Sequence, residues 1–535
     1  MNSQNVELNR EISQFSVASF ICASTVPMRG SHWTSRTNSE IPMKRALCVS
    51  AILAAAMVAP VSFADDHEIP LSAVIQRAPG VGYGAINAAL NSYCSDIHYA
   101  GTAFGDNIRL MRYELRGNHT QQQVHDAIQG LVTQGMLVFG EADFTAHKVG
   151  GQTGSAWVTD LGATTFAYHN QYAFGTHGFD AAHDRSRGAG VVVAVIDSGV
   201  DSTHEAVHGP VTAWQWDFVN DNAYPIDGGD GIDNDSDGVI DDGVGHGTYV
   251  TSLIRLAAPE ARLMHLRVLD DEGSCDSFRL SAAIHSAIDH GADVINVSVS
   301  TEFNSSMLAD AIVRARAAGI IVVAAMGNDG LPIPSVLEYP AVLPQTIAVC
   351  AIDHLGLKGS FSNFGSCTDF SAAGVSFVSP TGQFDLTTSV LGAVPGEGYA
   401  HWSGTSLAAA FVSSAAALVR AQYPQWPDAS VPASEIPNTV MALLGQTATS
   451  IDSANPGFAG LLGTGRINAD GAVLLGPPVA RLADLDRDGR IDGGDLAMVL
   501  SSWGVCGASV DCEADFDGNG YVDGADLAVI MANWG

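Results

Sequence analysis

The chain reads as an α/β fold: a parallel sheet with helices on both faces, a small α+β unit before it and a small α module after it. Three observations carry this. Continuous β-branched runs, the clearest at 191–196, have the pattern of strands buried on both faces. Similar runs at 263–268, 294–299, 320–325 and 346–351 alternate with helix-like segments at 249–256, 278–290 and 306–318. That alternation implies right-handed crossovers between parallel neighbours. Finally, polar residues in Gly-containing turns end several of these runs, and open parallel sheets work at the carboxyl ends of their strands.

The flanking units follow from local patterns. With 535 residues, the length suggests about three or four units. Residues 1–42 show no helical or strand period and are expected to be a non-native extension. Met43-Lys-Arg, an apolar run over 46–61 and Ser62-Phe-Ala64 form a basic, apolar and small-residue series. This is a secretory signal pattern, so Met43 is expected to be the start and cleavage to follow Ala64. No other segment suits a membrane span, and an exported, secreted product is expected. Residues 65–150 read as strand, helix and strand over 109–115, 120–133 and 136–139. The polar stretch 145–165 reads as a linker.

The balance of 57 Asp+Glu against 24 Lys+Arg gives a net charge of −33 and argues against nucleic acid or an anionic membrane as partner. Much of the acid lies in spaced Asp-Gly clusters. In an exported chain disulfides are permitted; Cys506 with Cys512, and Cys350 with Cys367, are the pairs suggested by spacing. Without a CxxC motif, neither zinc nor a redox dithiol is indicated.

Four polar residues stand at ends of elements. Asp197 ends the run 191–196 in Asp197-Ser-Gly-Val-Asp201. His246 opens a helix in Gly245-His-Gly-Thr-Tyr-Val250. Asn328 lies in Met326-Gly-Asn-Asp-Gly330, and Ser406 begins the helix of Ser403-Gly-Thr-Ser-Leu-Ala. Singly, each has a plain reading as a cap, a core histidine or a turn residue. Together they fit one chemistry. A serine hydroxyl needs a base near neutral pH, imidazole supplies it, and a carboxylate fixes the imidazole tautomer. The oxyanion that forms needs donors, which an Asn amide and the Ser406 N–H provide.

In these motifs, and in that order, the chain over 165–474 resembles the subtilisin-like serine peptidases. Ser360-Phe-Ser-Asn-Phe-Gly365, Tyr339-Pro-Ala341 and Gly463-Thr-Gly-Arg-Ile-Asn468 extend the likeness. The resemblance implies a subtilisin-like sandwich, catalytic Asp197, His246 and Ser406, an oxyanion hole containing Asn328, and a cleaved, inhibitory propeptide over 65–150. It also implies a protein or peptide substrate bound along Ser298, Ser300, Thr301 and Gly327. Several positions depart from the family pattern. Tyr249 stands where His is usual, Leu407 follows the nucleophile in place of Met, and Ser300 and Thr301 replace two glycines beside the specificity pocket. Side-chain preference therefore does not carry over.

Acidic loops complete the reading. Asp233, Asp235, Asp237 and Asp241 occupy positions 1, 3, 5 and 9 of a calcium-type loop, with Gly238 at position 6. Residues 482–535 hold a repeat: Asp484, Asp486, Asp488, Asp492 and Asp495 match Asp515, Asp517, Asn519, Asp523 and Asp526. Each loop precedes a helix, carrying Leu496, Val499 and Leu500 or Leu527, Ile530 and Met531. The pair resembles a dockerin domain, a paired EF-hand-like module that binds Ca2+. This resemblance implies a cohesin-like or cell-surface protein as partner. The rival reading of the chain is a non-catalytic, calcium-dependent adhesion or scaffold protein on the same fold. A narrow maturation peptidase is a third.

Overall fold

The computed structural model describes residues 68–93, 97–102, 110–115, 120–148, 163–376, 385, 387–427, 431–475, 485, 491, 493–506, 512, 514–516, 520–532 and 534. The signal pattern at 43–64, the extension at 1–42 and residues 149–162 of the expected linker lie outside this set. No described helix is long and apolar enough to cross a membrane.

The N-terminal module runs β1 (Glu68–Arg77), α1 (Tyr83–Tyr93), β2 (Ile97–Thr102), β3 (Leu110–Leu115), α2 (Gln121–Thr133) and β4 (Leu137–Lys148). Its strands are ordered β4-β1-β3-β2, a split βαβ arrangement. Helix α2 begins with a capping box, Thr120 accepting from Gln123 N while the Gln123 side chain accepts from Thr120 N. Val124, Ile128 and Leu131 are buried against Ile75, Met111 and Tyr113. The expected strand-helix-strand is present, with β1, α1 and β2 in addition. Residues 145–148 are not linker. They extend β4 because they pair with strands of the next domain, a contact that local sequence does not encode.

The central domain contains β5 (Val192–Asp197), β6 (Trp216–Asp217), α3 (His246–Ala257), β7 (Arg262–Arg267), β8 (Ser274–Asp276), α4 (Ser277–Asp289), β9 (Val294–Val297), β10 (Val299–Ser300), α5 (Ser306–Ala317), β11 (Ile321–Ala325), β12 (Thr346–Ile352), β13 (Phe370–Ala373), β14 (Leu391–Val394), β15 (Gly398–His401), α6 (Thr405–Ala421), α7 (Ile436–Thr447) and α8 (Ala469–Leu475). Seven strands form one sheet in the order β13-β12-β11-β9-β5-β7-β6, and the pairings are parallel. Period-two alternation explains the apolar runs. Val193 and Val195 face α3 and α6, whereas Val192, Ala194 and Ile196 face α4 and α5. Strand order reverses at β5, which lies between β7 and β9, so the crevice at the β5 carboxyl end is a topological switch point.

Helix α6 is buried from Thr405 to Val419. Its alanines allow it to lie close to the sheet. Tyr249, in place of the usual His, is fully buried and donates to Val390 O at 2.9 Å. Its ring lies over Gly392, where a Cβ would come within 2.5 Å of it.

The C-terminal module holds α9 (Gly493–Ser501), β16 (Gly504–Val505), β17 (Tyr521–Val522) and α10 (Gly524–Ala532). Val499 and Ile530 form its core with Leu485, Ile491 and Val522. Leu500 and Met531 are 53% and 59% exposed. Cys506 and Cys512 form a disulfide. The Cys350–Cys367 pair is not formed: the Cys350 thiol is free and buried, and donates to Asn363 O at 3.0 Å.

Candidate active site

Asp197 is the last residue of β5, and His246 is the first of α3. His246 Nδ1 and Asp197 Oδ1 are 2.7 Å apart, both side chains being at most 3% exposed. Ser198 N donates to the same oxygen at 2.8 Å. The two segments are held together by Asp227, which sequence reasoning missed. Asp227 is buried and accepts from Ser198 Oγ at 3.0 Å, Gly245 N at 2.7 Å, Thr248 N at 2.9 Å and Thr248 Oγ1 at 2.5 Å. Ser198 Oγ in turn accepts from Gly247 N at 2.8 Å. Desolvation pushes the Asp227 carboxyl up from its ordinary value, against the pull of these donors. Gly247 has to be glycine, because a Cβ would meet Gly199 O at 2.2 Å.

Ser406 stands in the first turn of α6. Its Oγ is buried and makes no hydrogen bond; catalytic contacts are often loose in sites without substrate. Trp402, four residues earlier, packs its ring edge-on to His246, with centroids 5.0 Å apart. The Asn328 amide oxygen accepts from Thr405 N at 2.9 Å and Thr405 Oγ1 at 3.0 Å. Those two bonds fix the amide, and its Nδ2 shares one spot with the helix start. A Cβ on Gly404 would be 3.5 Å from Asn328 Nδ2 and 3.8 Å from Ser406 N. Two donors thus border a space that glycine leaves open. Asn363, within the Ser360–Gly365 motif, shapes the Asn328 turn by accepting from Asp329 N and Leu331 N at 3.1 and 3.0 Å.

Gly327 has φ +101, and a Cβ there would strike Asn363 Nδ2 at 2.2 Å and Glu338 Cγ at 2.8 Å. Ser298 is buried, its hydroxyl accepting from Asn296 Nδ2 at 3.0 Å. Ser300 and Thr301 lie opposite β4 of the N-terminal module: Ser300 pairs with His147, and Thr301 Oγ1 donates to Thr145 O at 2.8 Å. Glu338 is buried beside Ser300. Desolvation, with the nearby Asp329 and Glu302 carboxylates, lifts its carboxyl to about 7, although a hydrogen bond with Ser300 opposes this.

The acidic loops separate into two groups. Asp233, Asp235 and Asp237 bring carboxylate oxygens within 4.8 Å of one another. Asp241 does not join them. At φ +53 it turns back to accept from Asp230 N at 3.1 Å and Gly231 N at 2.9 Å, and it groups with Asp230 and Asp271. In the C-terminal module, Asp495 accepts from Leu485 N and Asp526 from Phe516 N, both at 2.6 Å, so the two repeats close alike. Asp515 accepts from Gly520 N at 2.9 Å, and Asp523 from Ala525 N at 2.8 Å. Asp484, Asp486, Asp488, Asp492, Asp517 and Asn519 lie outside the described residues.

Comparison with known proteins decides the family: residues 188–465 match the model of the subtilase family. The chain belongs to the subtilase family. Subtilisin E of Bacillus subtilis (strain 168) is 34% identical over 254 residues, 46% of this chain and 59% of that protein. Thermitase of Thermoactinomyces vulgaris is 30% identical over 302 residues, 55% of this chain and 91% of thermitase. The match to subtilisin NAT likewise spans only 59% of its length. Among solved structures, fervidolysin from Fervidobacterium pennivorans, described as a keratinolytic enzyme related to subtilisin, superposes with a TM-score of 0.58 at 22% identity. That match covers 77% of this chain and 62% of fervidolysin, and it shows the fold.

The raised Glu338 carboxyl has a stability consequence. Between pH 4.5 and about 7 the folded chain keeps a proton that the unfolded chain has lost, so this group's contribution falls as pH rises through that window. Glu338→Gln is expected to leave Tm near the parent value at pH 4 and to raise it at pH 8. Tm measured across that range checks this; a difference that does not change with pH contradicts it.

Proposed function

We propose that this subtilase is an exported serine endopeptidase acting on extended peptide segments of proteins. The observation that supports this best is the joint placement of Asp197, His246, Asn328 and Ser406 at one end of the sheet. His246, oriented by Asp197, takes the proton of Ser406 Oγ as the hydroxyl attacks the peptide carbonyl. The tetrahedral oxyanion is received by Asn328 Nδ2 and Ser406 N. His246 then protonates the leaving amine, and water hydrolyses the acyl-enzyme by the same route. Export is proposed on the signal pattern at 43–64.

Residues 65–150 act in this reading as a propeptide. Its sheet packs on α4 and α5, and two of its acids cap those helices. Asp143 accepts from Ser277 Oγ at 2.9 Å and Phe278 N at 3.2 Å, while Glu141 accepts from Ser306 N at 2.8 Å and Met307 N at 3.1 Å. Its last strand runs along β10, where a substrate would lie.

The donor sets fit calcium, a hard cation with oxygen ligands. Asp233, Asp235 and Asp237 would hold one ion, and Asp230, Asp241 and Asp271 another. The C-terminal loops would hold two more through Asp495, Asp515, Asp523, Asp526 and their neighbours in sequence. Bound calcium would order the segment leading to His246. We read residues 482–535 as a docking module for a cohesin-like or cell-surface protein; the exposed Leu500, Trp503, Met531 and Trp534 support this.

Ser406→Ala is expected to abolish hydrolysis of a diverse peptide library and release of the N-terminal module. Asn328→Ala is expected to lower kcat by about 10²–10³. Unchanged cleavage in Ser406→Ala would contradict Ser406 as the nucleophile, and absence of cleavage by the parent protein would favour the scaffold reading. Calcium removal by a chelator is expected to lower Tm. A hundredfold excess of calcium over Kd is worth about 2.7 kcal/mol per site, so re-addition should restore it. A Tm indifferent to chelation contradicts the metal assignment.

A further inference from the structure

The last residues of β4 leave their own module and run between β8 and β10. Thr145, Ala146 and His147 pair with Asp276, Cys275 and Ser274 on one side. His147 and Lys148 pair with Ser300 and Val299 on the other, and Lys148 N donates to Gly273 O at 2.9 Å. The segment is therefore the middle strand of a three-stranded antiparallel array. Its direction leads from Val299 toward Ser298, which follows β9 at the carboxyl end of the sheet, where Asp197 and Asn328 also stand.

Lys148 is the only one of these residues with a long charged side chain, and it has a fitted place. Its Nζ donates to Asp242 Oδ2 at 2.7 Å and to Asp242 O at 2.6 Å. The lysine side chain is 9% exposed and that of Asp242 17%. The aliphatic stem lies against Gly273, where a Cβ would come within 2.8 Å of Lys148 Cδ. Gly243 backs onto Gly273 so closely that its own Cβ would fall 2.1 Å from Gly273 N. Two glycines thus leave a slot the width of a methylene chain, with a carboxylate at its end. Asp242 Oδ1 is buried and has no hydrogen-bond partner, which leaves an acceptor for a second N–H. Asp242 also stands only four residues before His246.

We infer that the slot of Asp242, Gly243 and Gly273 is a specificity pocket for lysine or arginine in the peptide bound along β10, and that Lys148 is its built-in occupant. The inference rests on the peptidase reading. It deepens that reading by giving the substrate class: segments with a basic side chain on the amino side of the bond cut. A partly buried carboxylate selects a cation by two charge-assisted hydrogen bonds, and it rejects an acidic side chain by leaving two like charges desolvated. The net charge of −33 acts in the same direction at long range.

The test uses the full chain, expressed and allowed to process itself, with fluorogenic peptides. The peptides differ only in carrying Lys, Arg, Gln or Glu at each of the four positions before the scissile bond. At one position Lys and Arg are expected to exceed Gln about tenfold in kcat/KM, with Glu lowest. Asp242→Asn should bring that ratio close to one, and Asp242→Lys should invert it in favour of Glu, a gain that a misfolded variant cannot mimic. In the uncleaved chain, Lys148→Glu should slow release of the N-terminal module, and Asp242→Lys in the same chain should restore it. Hydrolysis with no basic preference at any position, or a preference that survives Asp242→Asn, overturns the inference alone. Failure to cut any peptide overturns the peptidase reading and the inference with it.

Discussion

A single buried carboxylate holds the site together. Asp227 accepts four hydrogen bonds from groups flanking the two residues that must meet, Ser198 beside Asp197, and Gly245 and Thr248 beside His246. A buried carboxylate is costly unless its oxygens are satisfied. Here that cost is offset only when both segments are in place, so the 2.7 Å contact between His246 and Asp197 is set by the scaffold around it. Seventeen residues of acidic loop separate Asp227 from Gly245. The loop can vary, or order around an ion, while its two ends stay pinned.

The same logic extends to the other half of the site. Thr405 holds the Asn328 amide by its oxygen, and Asn363 holds the turn on which Asn328 sits. In the proposed mechanism Asn328 Nδ2 and Ser406 N are thereby aimed before any charge develops, which is what electrostatic preorganisation requires. Trp402 links the two halves, its ring against His246 and its backbone leading into the Gly404–Ser406 turn. The core helices can carry such fixed geometry because α6 is almost wholly buried.

Much of this was legible in the residues. Asp197, His246, Asn328 and Ser406 each sit at an element end with a glycine nearby, and the β-branched runs announce strands covered on both faces. Asp227 was not legible, because its role is defined by partners 18 to 29 positions away, and nothing in Ile226-Asp-Gly marks it. Residues 145–148 read as linker because they open a polar, Gly/Thr-rich stretch; their extended form comes from pairing with β8 and β10. Asp241 was placed by loop spacing, whereas its left-handed backbone turns it toward Asp230. Tyr249 looked like a departure from the family, and Gly392, 143 positions later, accommodates it. Apart from Asp241, whose turn is set by its own backbone, the missing information was a long-range contact.

In the proposed mechanism Asp197, His246 and Ser406 work as one nucleophilic unit. Treating the protein with a fluorophosphonate probe and mapping the adduct by mass spectrometry tests it directly. One labelled residue, Ser406, is expected, with labelling that collapses in His246→Ala and in Asp197→Asn. Absence of label on Ser406 in the folded protein, or labelling indifferent to His246 and Asp197, would contradict it.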